Sequence, residues 1–113
     1  MKKLAVFLVP LIFLSTSFAE AEEPSWTQIK SVGCHTTDTT CFVEISGNFV
    51  GPSACKSNSL RWNRKTSPNG NATLSLLTTA FAAGNLVSFQ VAEECYQDQP
   101  NYPTFRWFNI KRD

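Results

Sequence analysis

SLRWNRKTSPNGNATLSLLTTAFAAGNLVSFQVA, residues 59–92, sets one helix between two strands. Thr66-Ser67-Pro68 offers a hydroxyl cap followed by proline at a first-turn position, and Gly84-Asn85 supplies a left-handed stop. Between them Leu76, Leu77, Ala80 and Phe81 fall at i, i+1, i+4 and i+5. Thr73 and Gly84 extend that stripe, and Leu74 widens the apolar arc, so the helix is expected to be well covered. Upstream, residues 59–63 read as a short strand. Downstream, residues 86–92 alternate, with Val87, Phe89 and Val91 inward against Ser88 and Gln90.

Working outward, Cys41-Phe42-Val43-Glu44-Ile45 alternates cleanly, with Cys41, Val43 and Ile45 on one face and Phe42 and Glu44 on the other. Residues 26–32 are β-compatible and form the first strand. Gly47, Gly51 and Pro52 break the chain around a short extended piece at Phe49-Val50. Asp98, Pro100, Asn101 and Pro103 mark a loop before a final aromatic-rich strand at 104–110. The element string is β-β-β-α-β-β, mainly β with one helix. It is the order of an OB-fold-like five-stranded barrel, whose helix lies between the third and fourth strands. A small α+β sheet with a helix on one face has the same string.

Residues 1–19 read as a secretory signal peptide. Lys2-Lys3 precede an apolar run at 4–14 and the small-residue exit Ser15-Thr16-Ser17-Phe18-Ala19. The run is about half the 20 or so apolar residues a membrane span needs. Cleavage after Ala19 or after Ala21 satisfies the small-residue rule. An acidic leader at 20–25 then precedes a single domain at 26–113, and the expected location is secreted or periplasmic. The whole chain carries ten basic and nine acidic residues in 113. Removing the leader's two lysines leaves eight against nine, which argues against nucleic acid as a partner.

An oxidising compartment lets the four cysteines pair, and four permit three pairings. Residues 35–40 between Cys34 and Cys41 are polar and read as a turn between two strands. A Cys34–Cys41 staple across that hairpin follows, leaving Cys55–Cys95 as the long-range bridge. Zinc ligation by the cysteines and His35 has no C-x-x-C pair behind it, so no metal and no cofactor is expected.

Cys41-Phe42-Val43, Ala54-Cys55, Trp62, the helix residues Leu76 or Leu77, Ala80 and Gly84, and Val87 resemble the B subunits of subtilase-type and typhoid-type bacterial AB5 toxins. The run Pro68-x-Gly70 … Leu74-Ser75-x-Leu77 … Ala80 … Gly84 … Val87 is similar to that of small secreted bacterial proteins of no assigned activity. The likeness covers about residues 41–95. It implies an OB-fold and a ring of five subunits that binds cell-surface sugar, often sialylated, and carries a separate catalytic subunit.

Catalytic chemistry finds little footing. His35 is the only histidine and lies in a threonine-rich turn beside the expected disulfide. A lone turn histidine among hydroxyl residues is weak evidence for a nucleophile, base and orienting group, and it reads as a solvated turn residue. Glu93-Glu94 with Asp98 suggests paired carboxylates, but adjacent strand residues point opposite ways. No catalytic residue is therefore assigned, and the chain is read as a non-enzyme. The densest basic group is Lys56, Arg61, Arg64 and Lys65, with Trp62 in its midst. Arginine beside an aromatic platform suits carboxylated sugars or single-stranded nucleic acid, the second disfavoured by the charge balance. Tyr96 and Tyr102, in a polar loop, are the expected surface aromatics. The candidate ligand-binding residues are thus Arg61, Trp62, Arg64, Tyr96 and Tyr102. They belong to a secreted binding module for a cell-surface glycan, with self-association into a homo-oligomer. The alternative is a periplasmic or envelope module, such as an inhibitor, whose partner is a secreted protein met through Phe42, Phe49, Trp107 and Phe108.

Overall fold

The computed structural model describes residues 25–113. The expected signal peptide, its expected cleavage site and all of the acidic leader except Ser25 lie outside the described residues. The elements are β1 (Thr27–Cys34), β2 (Thr40–Ile45), β3 (Ser59–Asn63), α1 (Gly70–Ala83), β4 (Leu86–Cys95) and β5 (Pro103–Lys111). This is the β-β-β-α-β-β string expected from the sequence. The strands form one antiparallel sheet in the order β3-β2-β1-β4-β5.

Strand β1 serves both halves of that sheet. Its first residues pair with β4, Thr27 against Val87 and Gln28 against Leu86. From Ile29, which stands opposite Ile45, it pairs with β2, with a register irregularity between Ile29 and Ser31, and it ends at Cys34 against Cys41. The irregularity follows directly on the change of partner between Gln28 and Ile29, and a bulge at that point bends the strand. The two ends of the sheet, β3 and β5, approach each other through Trp62 and Phe105, whose rings meet edge-on at 5.7 Å. No ladder joins β3 to β5, so the sheet is not closed.

The core is built by the alternation read in β2 and β4. Cys41, Val43 and Ile45 are buried, and Leu60, Trp62, Leu77, Val87 and Phe89 pack with them. Each fully buried Leu or Val contributes about 1.5–3 kcal/mol by leaving water. Ser88 departs from the alternation. It is buried alongside Val87 and Phe89, so β4 is covered on both faces at this point.

Helix α1 begins later than its sequence signals suggest. Thr66-Ser67-Pro68 does not cap it. Residues 64–69 instead form turns, with Asn63 Oδ1 accepting from the backbone N–H groups of Lys65 and Thr66. Asn69 enters the helix in the left-handed conformation, φ 58°, with no side-chain cap hydrogen bond. The cause is the close approach at Gly70, where a Cβ would stand 2.4 Å from the Arg64 carbonyl oxygen. The chain must fold back on itself before the helix can start. Gly84 ends the helix as read, at φ 67°, its N–H donating to the Ala80 and Phe81 carbonyls. The inward face is Gly70, Thr73, Leu77 and Ala80. Leu76 and Phe81, expected inside, are 51% and 48% exposed, because they lie about 100° around the helix from Leu77 and Ala80.

Both disulfides join the expected partners. Cys34–Cys41 closes seven residues of sequence and Cys55–Cys95 closes 40. The second bridge ties the β2–β3 connection to the end of β4, which reaches Cys95, beyond the Ala92 expected from alternation. Among the described residues no helix is long and apolar enough to cross a membrane.

Candidate functional site

The turn between β1 and β2 is organised by one carboxylate. Asp38 accepts the Thr40 backbone N–H at 2.8 Å and faces His35 Nδ1 with both oxygens at 3.0 Å. These bonds, led by the one from the His35 side chain, hold the Asp38 carboxyl below its ordinary range. The His35 backbone N–H also donates to the Thr40 carbonyl, so the turn is closed from both sides.

Beside it stands Arg61. Phe42 of β2 and Arg61 of β3 are cross-strand partners, which puts both side chains on the same face of the sheet. The Arg61 guanidinium carbon lies 5.3 Å from the Phe42 ring centroid and 3.5 Å from that of Tyr102. Its Nη1 donates to Gln99 Oε1 and lies 3.4 Å from His35 Nε2. Arg61 Nε is buried with no hydrogen-bond partner. Among the described residues the ion pairs are Lys30–Glu44, His35–Asp38 and Arg106–Glu94, so no carboxylate neutralises Arg61. The cation is held by π faces, a neutral amide and an imidazole.

The loop carrying Gln99 and Tyr102 is fixed to this end of the sheet. Tyr96 N–H donates to the Tyr102 carbonyl at 2.8 Å, and Tyr102 N–H donates to that of Gln99 at 3.0 Å. The Tyr96 hydroxyl donates to Asp98, 3.2 Å away, and takes the Thr40 hydroxyl at 2.9 Å. Asn63 Nδ2 reaches the same Asp98 oxygen. Burial is the first cause that raises the Tyr96 phenol above its ordinary value of 10.0.

That direction has a consequence for stability. Above the unfolded value of 10.0 the unfolded chain loses the Tyr96 proton while the native chain keeps it. The native state then binds more protons, and stability falls as pH rises further. Denaturant midpoints are expected to drop between about pH 9 and about pH 11, and Tyr96→Phe is expected to lessen the drop.

The sequence candidates separate into two groups. Arg61 and Tyr102 are brought together face to face. Arg64 is half-buried, and its backbone N–H donates to the Thr39 carbonyl at the edge of the same turn. Trp62 follows Arg61 on β3 and therefore points the other way. It is 3% exposed, with Nε1 donating to the Gly70 carbonyl. Tyr96, expected at the surface, is 6% exposed, because its hydroxyl finds Thr40 and Asp98 inside. His35, Asp38 and Gln99 complete the cluster without having been singled out as ligand contacts, together with Phe42, expected above only as a contact for a protein partner.

Two other concavities flank the sheet. One of about 630 Å³ lies between α1 and β5, with Leu76 and Trp107 on its rim, Trp107 being 55% exposed. The other, about 690 Å³, runs between Gln90–Glu93 of β4 and the loop holding Asn48 and Phe49. All four cysteines are consumed in disulfides, and no group of three His, Cys, Asp or Glu side chains placed to hold a metal occurs among the described residues. No protein-family model, no curated protein and no solved structure matches this chain.

Proposed function

We propose that this chain is a secreted, non-enzymatic binding module that receives the acid group of a carboxylated glycan at Arg61. The observation that carries the reading is the Arg61 guanidinium, stacked on Tyr102 and lacking any carboxylate partner among the described residues. A stacked guanidinium keeps its full charge and a planar fork of donors suited to a carboxylate, and it is already oriented before ligand arrives. Tyr102 adds an apolar ring face of the kind sugars stack on. The strand order, with β3 and β5 side by side but unpaired, supports an OB-type barrel as the scaffold. Two disulfides are compatible with an extracellular or periplasmic site of action.

A glycan array probed with the oxidised protein tests this. Carboxylated sugars are expected to be retained, with affinity falling tenfold or more, on the order of a lost charged hydrogen bond, in Arg61→Gln. Circular dichroism of the variant confirms that the fold persists. Retention of no sugar by the folded protein, or equal retention by Arg61→Gln, would overturn the proposal. Light scattering on the same sample reads the homo-oligomer that the toxin resemblance implies.

A protein-binding module is favoured by a different observation, the exposure of Trp107 and Leu76 on the rim of the α1–β5 cleft. Aromatic residues at that exposure suit a protein interface. Under this reading Trp107→Ser abolishes capture of a secreted partner and leaves glycan retention unchanged.

A further inference from the structure

We propose that His35 and Arg61 together form a proton-linked anion site, in which a bound carboxylate bridges Arg61 Nη1 and the Nε2–H of a protonated His35. This rests on the reading that Arg61 receives the ligand's acid group, and it specifies how that group is held and what controls it.

The hydrogen-bond partners fix the resting state of the imidazole. Asp38 meets Nδ1 with both oxygens at 3.0 Å. An ionised carboxylate only accepts, so Nδ1 carries the hydrogen. On the other side Nε2 lies 3.4 Å from Arg61 Nη1, and a guanidinium only donates. Nε2 must therefore present its lone pair to Arg61. The neutral ring is held as the Nδ1–H tautomer by opposite demands on its two nitrogens, the arrangement by which a neighbouring bond selects one tautomer.

Protonation inverts one end of this chain and leaves the other intact. The Nδ1–H stays on Asp38, but Nε2 now carries a hydrogen aimed at the N–H groups of Arg61. Two donors then face each other with no acceptor between them. The charges of Asp38, His35 and Arg61 sum to zero when the ring is neutral and to plus one when it is protonated. An anion at Nε2 and Nη1 supplies the missing acceptor and cancels that charge.

The remaining surroundings do not supply an alternative. Phe42 of β2 offers only a ring, 6.0 Å from that of His35. From the β4–β5 loop, Gln99 is neutral and already accepts from Arg61, while Asp98 takes Tyr96 and Asn63 on one oxygen and forms no ion pair with Arg61 or His35. Tyr102 covers the guanidinium face. Lacking an internal acceptor, the protonated site recruits one from outside. By linkage, anion binding takes up a proton and tightens as pH falls.

Because His35 is the only histidine of the chain, a tag-free, ¹⁵N-labelled sample reports on it alone. Long-range ¹H–¹⁵N correlation is expected to show neutral His35 as the Nδ1–H tautomer. A dominant Nε2–H form would overturn the inference. Formate, which stays ionised where histidine titrates, serves as the carboxylate probe. Its addition is expected to raise the His35 titration midpoint, and its affinity is expected to be about tenfold higher near pH 5.5 than near pH 8. His35→Gln, which keeps an acceptor toward Arg61 but cannot titrate, is expected to bind formate with one affinity at both pH values. A midpoint that ignores formate, or equal affinity at both pH values in the unaltered protein, would also overturn the inference. Failure of the glycan reading looks different. No carboxylated sugar is retained on the array, yet the midpoint still rises with formate, and the anion site stands without the glycan.

Discussion

Replacing Cys55 and Cys95 together by alanine is expected to lower the unfolding free energy by about 4 kcal/mol, the largest effect available from the covalent frame. The bridge closes 40 residues of sequence, a span that contains all of β3 and α1 and reaches the end of β4. Opening it returns loop-closure entropy to the unfolded chain, and that entropy grows with the logarithm of the span. The Cys34–Cys41 staple closes only seven residues, across the last pair of the β1–β2 ladder, so its loss should cost less, about 2 kcal/mol. For a domain of this size about 4 kcal/mol corresponds to a fall in Tm of roughly 20 °C. The effect reaches the site as well. Tyr96 directly follows Cys95, and the loop it begins carries Gln99 and Tyr102 to Arg61. Guanidinium titration of the oxidised double variant measures the stability, and ligand titration of the same sample measures the site. A loss below about 1 kcal/mol would mean that the unfolded chain is already restrained in some other way.

What the sequence displays and what it conceals divide along one physical line. Signals carried by neighbours in the chain are legible. The alternation of Cys41, Val43 and Ile45 placed β2 correctly, Gly84 ended the helix, and a polar stretch between Cys34 and Cys41 identified the staple. Signals that depend on distant segments are not. Nothing near Thr66-Ser67-Pro68 reveals that Gly70 must lie against the Arg64 backbone, and that contact is what delays the helix. Tyr96 and Tyr102 share one polar loop, yet one ring is buried by bonds to Thr40 and Asp98 while the other lies over Arg61. The site is half legible for the same reason. Arg61 stood out as a cation among aromatics, and strand alternation could have sent Trp62 inward once Arg61 was placed outward. His35 and Gln99 come from turns 26 and 38 residues away from Arg61, brought in by a register no local pattern encodes.

Trp62 is where the helix, the sheet and the seam between β3 and β5 meet, and Trp62→Ala is expected to cost about 3–5 kcal/mol. The indole is buried in the core and touches Phe105 across the unpaired edge of the sheet, so its removal opens a cavity between strands that no ladder holds together. Its Nε1–H donates to the Gly70 carbonyl at 3.0 Å, at the first residue of α1. Trp62→Phe separates these contributions. It retains most of the apolar contact but removes the donor, which predicts a loss of about 2 kcal/mol, made up of a smaller cavity and one lost buried hydrogen bond. The two variants should also differ in where they loosen the protein. With Trp62→Phe, amide exchange is expected to accelerate most in the first turn of α1, since Asn69 provides no side-chain cap there and the indole bond is what ties that turn to β3. With Trp62→Ala, the acceleration should extend along β3 and β5 as the Phe105 contact is lost. Equilibrium unfolding and site-resolved hydrogen exchange on both variants test this, and a loss below about 1 kcal/mol for Trp62→Ala would show that the seam is held by the remaining Phe89, Phe105 and Phe108 cluster alone.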